Sequence, residues 1–252
     1  MKLLENKFAL VTGASSGIGA AVARRLAGEG ASVLVHFNSG QQRAEAVAQT
    51  IRDAGGQAQI VGADLGNRDG PMALLAQLDG AFENRFVGRL DILVNNAGMV
   101  DVGALPDATD ESFDTLFDLN VRALFQLSRE AARRMTRSGW GRIINIGSVF
   151  GEAAPLPGLS IYCASKFAVQ GFTRAWSRDL GPLGITVNNV QPAVIQDNPS
   201  PDHPARESME RFTSTGRFGQ TEEVAQAVAF LASPSAAFIN GASLNVDGGW
   251  GA

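Results

Sequence analysis

The sequence has 252 residues, of which 45% are hydrophobic, enough for one α/β domain with a full core. Its net charge of −4 and interspersed charges argue against a nucleic-acid or membrane partner. The lone Cys163 excludes an intramolecular disulfide, His36 and His203 are far apart, and we expect no metal site. Because no signal peptide or membrane-length apolar run is present, we expect a cytoplasmic protein.

The chain opens with a predicted strand, a glycine-rich turn and a helix. Residues 8–12 form a short apolar run typical of a buried strand, and a helical pattern follows the turn. Glycines let the backbone approach a ligand closely, and a helix N-terminus offers unpaired N–H groups to a phosphate. The pattern favours a dinucleotide site over an ordinary turn, which is the alternative. The residues assigned to it are Gly13, Ser15, Ser16, Gly17, Ile18 and Gly19.

A second strand over 31–37 and a helix over 41–54 continue an alternation that predicts right-handed crossovers and a parallel sheet. NAD sites usually place an acid at the end of this strand, to bond the ribose 2′-hydroxyl. Here the residues are His36, Phe37, Asn38 and Ser39, with Arg43 nearby. This favours NADP(H) over NAD(H), with Phe37, Asn38 and Ser39 at the adenosine. The alternative is that the polar residues only cap the next helix.

The next two predicted strands cover 59–63 and 91–94. Asp64 and Leu65 follow the first, at the edge where open α/β sheets bind ligands, although Asp64 could also close a turn. Paired asparagines follow the second and can tie neighbouring loops together. The residues assigned to the cofactor here are Asp64, Leu65, Asn96, Ala97 and Gly98.

A long helix is predicted over 109–137 and contains Asn120, which is unfavourable in a helix interior unless it has a task. We expect it to bend the helix and hold a water; a solvent-facing side chain is the alternative. A strand over 142–147 then delivers Ser148 to its C-terminal end.

Tyr162 and Lys166 lie four residues apart on the next predicted helix, which begins after Pro157. This spacing puts them on one face, and a neighbouring positive charge lowers the pKa of a phenol. The chain has 14 Phe but only 1 Tyr, so the hydroxyl of Tyr162 is the feature that matters. The pair predicts proton transfer near neutral pH; a chance surface pair is the alternative.

The remaining elements are a strand over 185–190, a helix over 221–232 with a capped start, and a strand over 243–246. Residues 196–218 are rich in proline and polar residues, and we interpret them as a lid over the site. We see no repeat or linker and expect one domain over 1–252.

The motifs together resemble the short-chain dehydrogenase/reductase family, across essentially the whole chain. They are Thr12-Gly13-x-x-x-Gly17-Ile18-Gly19, Asn95-Asn96-Ala97-Gly98, Asn120, Ser148, Tyr162-x-x-x-Lys166 and Asp247-Gly248-Gly249. The resemblance implies a Rossmann-type, doubly wound α/β fold, with a parallel seven-stranded sheet in order 3-2-1-4-5-6-7 and helices on both faces. It also implies a homotetramer that pairs through the helices holding Asn120 and Tyr162.

The resemblance implies a catalytic tetrad of Asn120, Ser148, Tyr162 and Lys166. Ser148 polarises the substrate carbonyl, Tyr162 donates or removes the proton, and Asn120 positions a water. Lys166 bonds the nicotinamide ribose and lowers the pKa of Tyr162. The cofactor residues implied here are Tyr162, Lys166, Pro192, Ala193 and Ile195. Ala193 and Asp197 depart from the glycine and threonine usual in the family, which could alter cofactor seating.

The sequence motifs say less about the identity of the substrate than about the reaction and the cofactor. The nearest subgroup comprises 3-oxoacyl-(acyl-carrier-protein) reductases, but their two docking arginines correspond here to Gly139 and Leu183. We therefore prefer a reductase of small ketones or aldehydes, or a dehydrogenase of secondary alcohols; a non-catalytic dinucleotide sensor is a remote alternative. The predicted substrate pocket comprises Ser148, Val149, Phe150, Glu152, Leu156, Tyr162 and residues of the predicted lid. Glu152 could bond a polyol or simply be exposed.

Overall fold

The computed structural model describes residues 2–196 and 212–251. Seven parallel strands form the main sheet: β1 (Phe8–Val11), β2 (Ser32–Phe37), β3 (Gln57–Gly62), β4 (Ile92–Asn95), β5 (Gly141–Ile146), β6 (Ile185–Pro192) and β9 (Ser243–Val246). Their order is β3-β2-β1-β4-β5-β6-β9, which confirms the predicted order. The seventh strand is β9 because two strands of two residues precede it, β7 (Ile195–Gln196) and β8 (Gly219–Gln220).

The helices are α1 (Gly17–Gly28), α2 (Gln41–Asp53), α3 (Gly70–Gln77), α4 (Asp110–Phe117), α5 (Leu124–Ser138), α6 (Ser160–Leu180) and α7 (Thr221–Ala232). The sequence analysis did not predict α3. The long predicted helix is instead α4, a π-helical segment over Asp118–Ala123, and α5. The π-helical segment contains Asn120, at the position where a bend was expected.

Alternate residues of the strands feed two hydrophobic cores, because successive side chains point to opposite faces of a sheet. Ala9 and Val11 of β1 pack on one face with α1, α2 and α7. Phe8 and Leu10 pack on the other with α3, α5 and part of α6. Both faces are therefore covered, which is the doubly wound Rossmann-type arrangement.

The two short strands β7 and β8 pair with each other in parallel, apart from the main sheet. They join the two ends of the predicted lid, since Ile195 aligns with Gly219 and Gln196 with Gln220. Residues 197–211, which make up most of that predicted lid, lie outside the described residues.

Within the described residues, no helix combines the length and apolar character needed to cross a membrane. Across the same part of the chain, no group of three or more His, Cys, Asp or Glu side chains is placed to hold a metal ion.

Candidate active site

The glycine-rich turn is fastened to the end of β4 by Thr12 and Asn96. The Thr12 hydroxyl accepts the N–H groups of Asn96 and Ala97, each at 2.9 Å. The Asn96 amide donates to the carbonyl oxygens of Thr12 at 2.8 Å and Gly13 at 3.1 Å. The prediction that the asparagines tie neighbouring loops together is confirmed for Asn96, whereas Asn95 donates to Ser128 of α5 and Asn145 of β5.

His36 fastens the same turn from the other side, a role that the sequence analysis missed. Its Nδ1 accepts the N–H of Gly13 at 3.0 Å, so Nε2 carries the proton and donates to the carbonyl oxygen of Ala63, also at 3.0 Å. Burial lowers the pKa of His36 to about 4, so the ring stays neutral near pH 7. The only available signal was a histidine in an apolar strand directly before the adenosine position.

The turn fits a dinucleotide pyrophosphate. Gly13 has a left-handed φ of +62°, and a Cβ added at Gly19 would lie 2.4 Å from the Gly13 carbonyl oxygen. At its N-terminus, α1 has no side-chain cap and no acidic residue in the first turn, so its N–H groups and positive dipole end remain available to an anion. A Cβ at Gly98 would lie 3.1 Å from Asn120 Oδ1 and 3.7 Å from Lys166 Nζ, so glycine keeps the space in front of Lys166 open.

A cavity of about 400 Å³ runs along this edge of the sheet. Most of the predicted cofactor residues line it: Gly13, Ser15, Ser16, Asn38, Ser39, Asp64, Leu65, Asn96, Ala97 and Gly98. Nine others are not in its lining: Gly17, Ile18, Gly19, Phe37, Tyr162, Lys166, Pro192, Ala193 and Ile195. Phe37 lies against Gly62, Ile18 packs on the core, and Gly17 and Gly19 build the turn.

The adenosine end of the cavity carries both a cation and a carboxylate. A Cβ at Gly40 would lie 2.7 Å from Arg43 Nη2 and 3.0 Å from Ser15 Oγ, so the guanidinium and the hydroxyl lie close together. Asn38 Nδ2 donates to Asp64 Oδ1 at 3.4 Å, and this oxygen also accepts the N–H of Gly66 at 3.0 Å. The sequence suggested no acid at this point, but the fold brings the Asp64 carboxylate to the side chain of Asn38.

Asn120 is buried, which excludes the solvent-facing alternative. Its Oδ1 accepts the N–H of Met99 at 2.9 Å, and its Nδ2 donates to the Met99 carbonyl at 2.9 Å and to Ser165 Oγ at 3.1 Å. The side chain therefore connects the loop after β4 to α6, the helix that carries Tyr162.

Tyr162 and Ser148 meet at the C-terminal edge of β5. Ser148 is buried, and its hydroxyl accepts the N–H of Phe150 at 3.2 Å, which starts a short 3₁₀ turn. Burial raises the pKa of Tyr162, and a hydrogen bond with Ser148 opposes that rise. The prediction of a lowered pKa is therefore wrong for the protein by itself, because loss of hydration outweighs the favourable contacts of the phenolate.

Lys166 follows Tyr162 by about one turn of α6, and its amine is directed to β5. Its Nζ donates to the carbonyl oxygen of Ile146 at 3.0 Å and lies 5.7 Å from the centre of the Tyr162 ring. Burial lowers the pKa of Lys166 to about 8. The structure thus places Asn120 and Lys166 next to Gly98, which lines the dinucleotide cavity, and places the Tyr162 ring next to Lys166.

The residues at the end of β6 and just after it were predicted to bind the cofactor. Pro192 is buried as the last residue of β6, and the N–H of Ala193 donates to Val246 of β9 at 3.3 Å. Ile195 lies in β7, with its side chain against Gly219. Asp197, the second departure from the family pattern, lies outside the described residues.

Aromatic rings surround the predicted substrate side. Phe150 contacts Tyr162 edge to face, with 6.1 Å between ring centres, and contacts Trp250 in the same way at 6.1 Å. Trp250 in turn packs on Phe212 at 4.9 Å. Leu156 is half-buried and Val149 is buried. Phe212 belongs to the predicted lid, whereas the sequence analysis missed Trp250, whose approach depends on long-range pairing of β9 with β6.

Glu152 is exposed, but both of its carboxylate oxygens are engaged. Gln170 Nε2 donates to one at 3.1 Å and Asn245 Nδ2 to the other at 3.4 Å. Gln170 and Asn245 also bond the two ends of the buried Gln191 amide in β6. Glu152 therefore belongs to a polar network that links the loop after Ser148 to α6, β6 and β9.

The fold is of the Rossmann type. It has a dinucleotide cavity along the carboxyl edge of the sheet and a cluster of serine, tyrosine and lysine at the same edge. The family model of the short chain dehydrogenases matches residues 7–205, and the chain belongs to that family of oxidoreductases.

Three curated relatives match nearly the whole chain. The cyclic-di-GMP-binding biofilm dispersal mediator protein of Escherichia coli is 39% identical, covering 100% of both chains. The probable tetrahydroxynaphthalene reductase of Zymoseptoria tritici is 36% identical, covering 97% of this chain and 94% of its own. The 3-oxoacyl-(acyl-carrier-protein) reductase FabG of Pseudomonas aeruginosa is 38% identical, covering 98% of each.

A short chain dehydrogenase from Burkholderia cenocepacia, solved in complex with NADP, has a similar structure. It superposes with a TM-score of 0.91 at 39% identity, over 99% of this chain and 100% of its own.

Proposed function

We propose that the protein is an NADP(H)-preferring oxidoreductase that reduces a small ketone or aldehyde to an alcohol, or catalyses the reverse oxidation, with Tyr162 as the general acid or base. One observation carries this proposal. The Tyr162 ring lies 5.7 Å from Lys166 Nζ, and Gly98, which lines the dinucleotide cavity, leaves space in front of that amine.

The chain has residues suited to bind the pyrophosphate, the adenine and the nicotinamide ribose of a dinucleotide. The N-terminus of α1 and the turn at Gly13 suit the pyrophosphate, and Asp64 and Leu65 suit the adenine. We assign to Lys166 the bond to the nicotinamide ribose. A reduced nicotinamide bound there would supply a hydride, which is a proton with two electrons, to the carbonyl carbon.

The proton comes from the protein. Ser148 donates a hydrogen bond to the carbonyl oxygen and polarises it, while Tyr162 transfers its proton to the same oxygen as negative charge develops. Because burial raises the pKa of Tyr162, the phenol stays protonated near pH 7 and is ready to act as an acid. Asn120 is anchored by Met99 and Ser165, and we assign it the positioning of a water that replaces the proton.

NADP(H) is favoured by Arg43, whose guanidinium lies at the adenosine end of the cavity beside Ser15. The NADP complex of the similar Burkholderia protein supports the same choice. Asp64 is the opposing feature, because a carboxylate can bond a free 2′-hydroxyl and repels a 2′-phosphate. Its Oδ1 is already shared by Asn38 and Gly66, which reduces that effect.

Two relatives bear on the substrate. The tetrahydroxynaphthalene reductase supports a small cyclic substrate, and FabG supports the carrier-protein alternative. Here the arginine positions named for that alternative hold Gly139, a left-handed helix cap, and the exposed Leu183. Neither supplies charge for an acidic carrier, so the small-molecule function is preferred.

A non-catalytic sensor stays the second candidate, because a relative 39% identical over the whole chain is named for binding cyclic-di-GMP. Calorimetric titration of cyclic-di-GMP, with and without NADPH, tests it. Tight binding together with no turnover of any carbonyl would favour the sensor.

The deciding experiment for the oxidoreductase is a rate measurement. NADPH and NADH oxidation are followed against a panel of cyclic, aryl and aliphatic ketones and a carrier-linked 3-oxoacyl substrate. We expect turnover of a simple ketone with NADPH exceeding that with NADH. Turnover of the carrier-linked substrate alone would instead establish the carrier-protein reductase.

Assembly as a homotetramer and a cytoplasmic location stay predictions. Exposed aromatic side chains on the three helices of the predicted interface, Phe113, Phe125 and Phe167, support assembly. Light scattering on the purified chain measures its mass directly.

A further inference from the structure

Four aromatic rings form a continuous row that starts at the proposed acid. We call Tyr162, Phe150, Trp250 and Phe212 the aromatic row. Tyr162, Phe150 and Trp250 meet edge to face, and Trp250 packs on Phe212 at an interplanar angle of 41°. Phe212 is 52% exposed, and Phe150 and Trp250 are only half-buried. Ring surface is therefore available to a ligand from Tyr162 outward.

The row is fixed by turns of defined geometry. Phe150 lies in the 3₁₀ turn that follows Ser148. Trp250 lies in the turn after β9, where the Asp247 carboxylate accepts the N–H groups of Gly249 at 2.9 Å and Gly251 at 3.0 Å. Its position is thus set by hydrogen bonds before a ligand arrives, which reduces the ordering cost of binding.

The polar side chain that follows Phe150 in its loop is already engaged. Glu152 has both oxygens occupied by Gln170 and Asn245. The loop after β4 carries the exposed aliphatic side chains of Val100 and Val102, and its Gly103 donates to the carbonyl of Gly158 in the loop that precedes α6. Glu152 is therefore not free to bond the hydroxyl groups of a polyol.

We propose that the substrate is an aryl ketone, in which a flat aromatic ring is fused or conjugated to the reacting carbonyl, and that Trp250 and Phe212 determine this specificity. The inference rests on the proposed function and narrows its substrate class. A flat ring stacks on or meets the edges of the row while its carbonyl reaches Ser148 and Tyr162. Aromatic pairs contribute beyond the apolar area that they bury, and a saturated ring of the same size lacks this contribution.

Two ketones with the same bicyclic skeleton test the inference, 1-tetralone with an aromatic ring and 1-decalone without one. Their dissociation constants are measured by calorimetry on the full chain saturated with NADP⁺, so that binding is read without turnover. Because one or two aromatic contacts act, we expect 1-tetralone to bind at least about fivefold tighter. The rates of reduction with NADPH are recorded separately.

Trp250→Leu keeps apolar bulk but removes the ring, and it should bring the two dissociation constants close to equal. Phe212→Leu, at an exposed position, should reduce the preference without affecting folding. Phe230→Leu, at a 46% exposed phenylalanine of α7 outside the row, is the matched control and should leave the preference unchanged.

Equal binding of the two ketones by the unmodified protein, or a preference that survives both Trp250→Leu and Phe212→Leu, overturns the inference. A preference that depends on the row while neither ketone is reduced supports the inference and contradicts the proposed function instead. The two failures are therefore distinguishable.

Discussion

Lys166 Nζ lies 5.7 Å from the centre of the Tyr162 ring and donates its hydrogen bond to the carbonyl oxygen of Ile146, at 3.0 Å. Ser148, and not Lys166, is the side chain that opposes the rise in the pKa of Tyr162 on burial. The amine is thus positioned by β5 rather than by the tyrosine, and it stays available to a cofactor hydroxyl. Its buried location has measurable consequences for activity and stability.

Replacing Tyr162 with Phe removes only the hydroxyl and keeps the ring contact with Phe150. Because general acid catalysis contributes a factor of about 10²–10⁴, we expect kcat to fall by at least about 100-fold while NADPH binds as before. Initial rates and fluorescence titration of NADPH measure the two effects. Cys163→Ala, at the neighbouring buried residue, is the control, and near-normal rates in Tyr162→Phe would end the assignment.

Replacing Lys166 with Met should abolish activity and stabilise the fold. Burial lowers the pKa of Lys166 from 10.5 to about 8, which corresponds to roughly 3 kcal/mol of destabilisation near pH 7. Loss of the bond to Ile146 offsets about 1 kcal/mol, so we expect the free energy of unfolding in urea to rise by about 2 kcal/mol.

The stability gained by Lys166→Met depends on pH, and the burial of Lys166 determines the direction of that dependence. Between pH 8 and 10.5 the unfolded chain binds more protons at Lys166 than the folded chain does, so the unmodified protein gains stability as pH rises. The advantage of Lys166→Met should therefore be largest below pH 8 and shrink above it. A constant difference across this range would contradict the burial of a charged amine.

Gly19 and Gly28 of α1 form a matched pair for substitution by alanine. A Cβ at Gly19 would lie 2.5 Å from Asn96 Nδ2 and closer still to the turn, whereas one at Gly28 meets nothing within 4 Å. Gly19→Ala should cost about 1–3 kcal/mol and weaken NADPH binding at least about 10-fold, because the turn must shift. Gly28→Ala should be neutral or slightly stabilising. Thermal unfolding and NADPH titration measure both.

The preference for NADPH over NADH is tested by substituting two arginines of α2. Arg43→Gln removes the guanidinium at the adenosine end, and kcat/KM for NADPH should fall about 10-fold or more while that for NADH changes little. Arg52→Gln on the same helix removes an equal charge that bonds the carbonyl of Ala58 instead. If both variants, or neither, change the NADPH to NADH ratio, Arg43 does not read the 2′-phosphate.

The start of α7 contributes acid-sensitive stability. The Arg217 guanidinium and the N–H of Gln220 lower the pKa of Glu223 from 4.5 to about 2. Its contribution is present above pH 4.5 and is lost as pH falls through about 2. Glu223→Ala should cost roughly 1 kcal/mol at pH 7 and less near pH 2, while Glu222→Ala, at a weaker 3.9 Å ion pair with Arg24, should be near neutral.

Features that depend on a local pattern of residues could be predicted from the sequence. The order of strands follows from the family resemblance that the motifs carry, and the glycine turn and the irregularity of the long helix at Asn120 follow from residue types at fixed spacing. The roles of His36, Trp250 and Phe212 do not, because each depends on contacts between strands or turns that are distant along the chain. The pKa of Tyr162 was predicted in the wrong direction, since spacing reveals the neighbouring charge but not the extent of burial.

The missed helix α3 has a similar explanation. Its sequence, GPMALLAQ, is short and carries no side-chain cap, so it depends on packing of Leu74 and Leu75 into the core beneath it. The Asp64 carboxylate next to Asn38 was missed for a related reason. The two residues end adjacent parallel strands, β3 and β2, and only the register of that pair brings them together.

The pairing of β7 with β8 holds together the two segments that flank residues 197–218. Loops whose ends are fastened in this way tolerate changes of length at small thermodynamic cost. Evolution, or a protein engineer, can therefore exchange this stretch for another without disturbing the seven-stranded sheet. New substrate preferences can arise there while the proton-transfer groups stay in place.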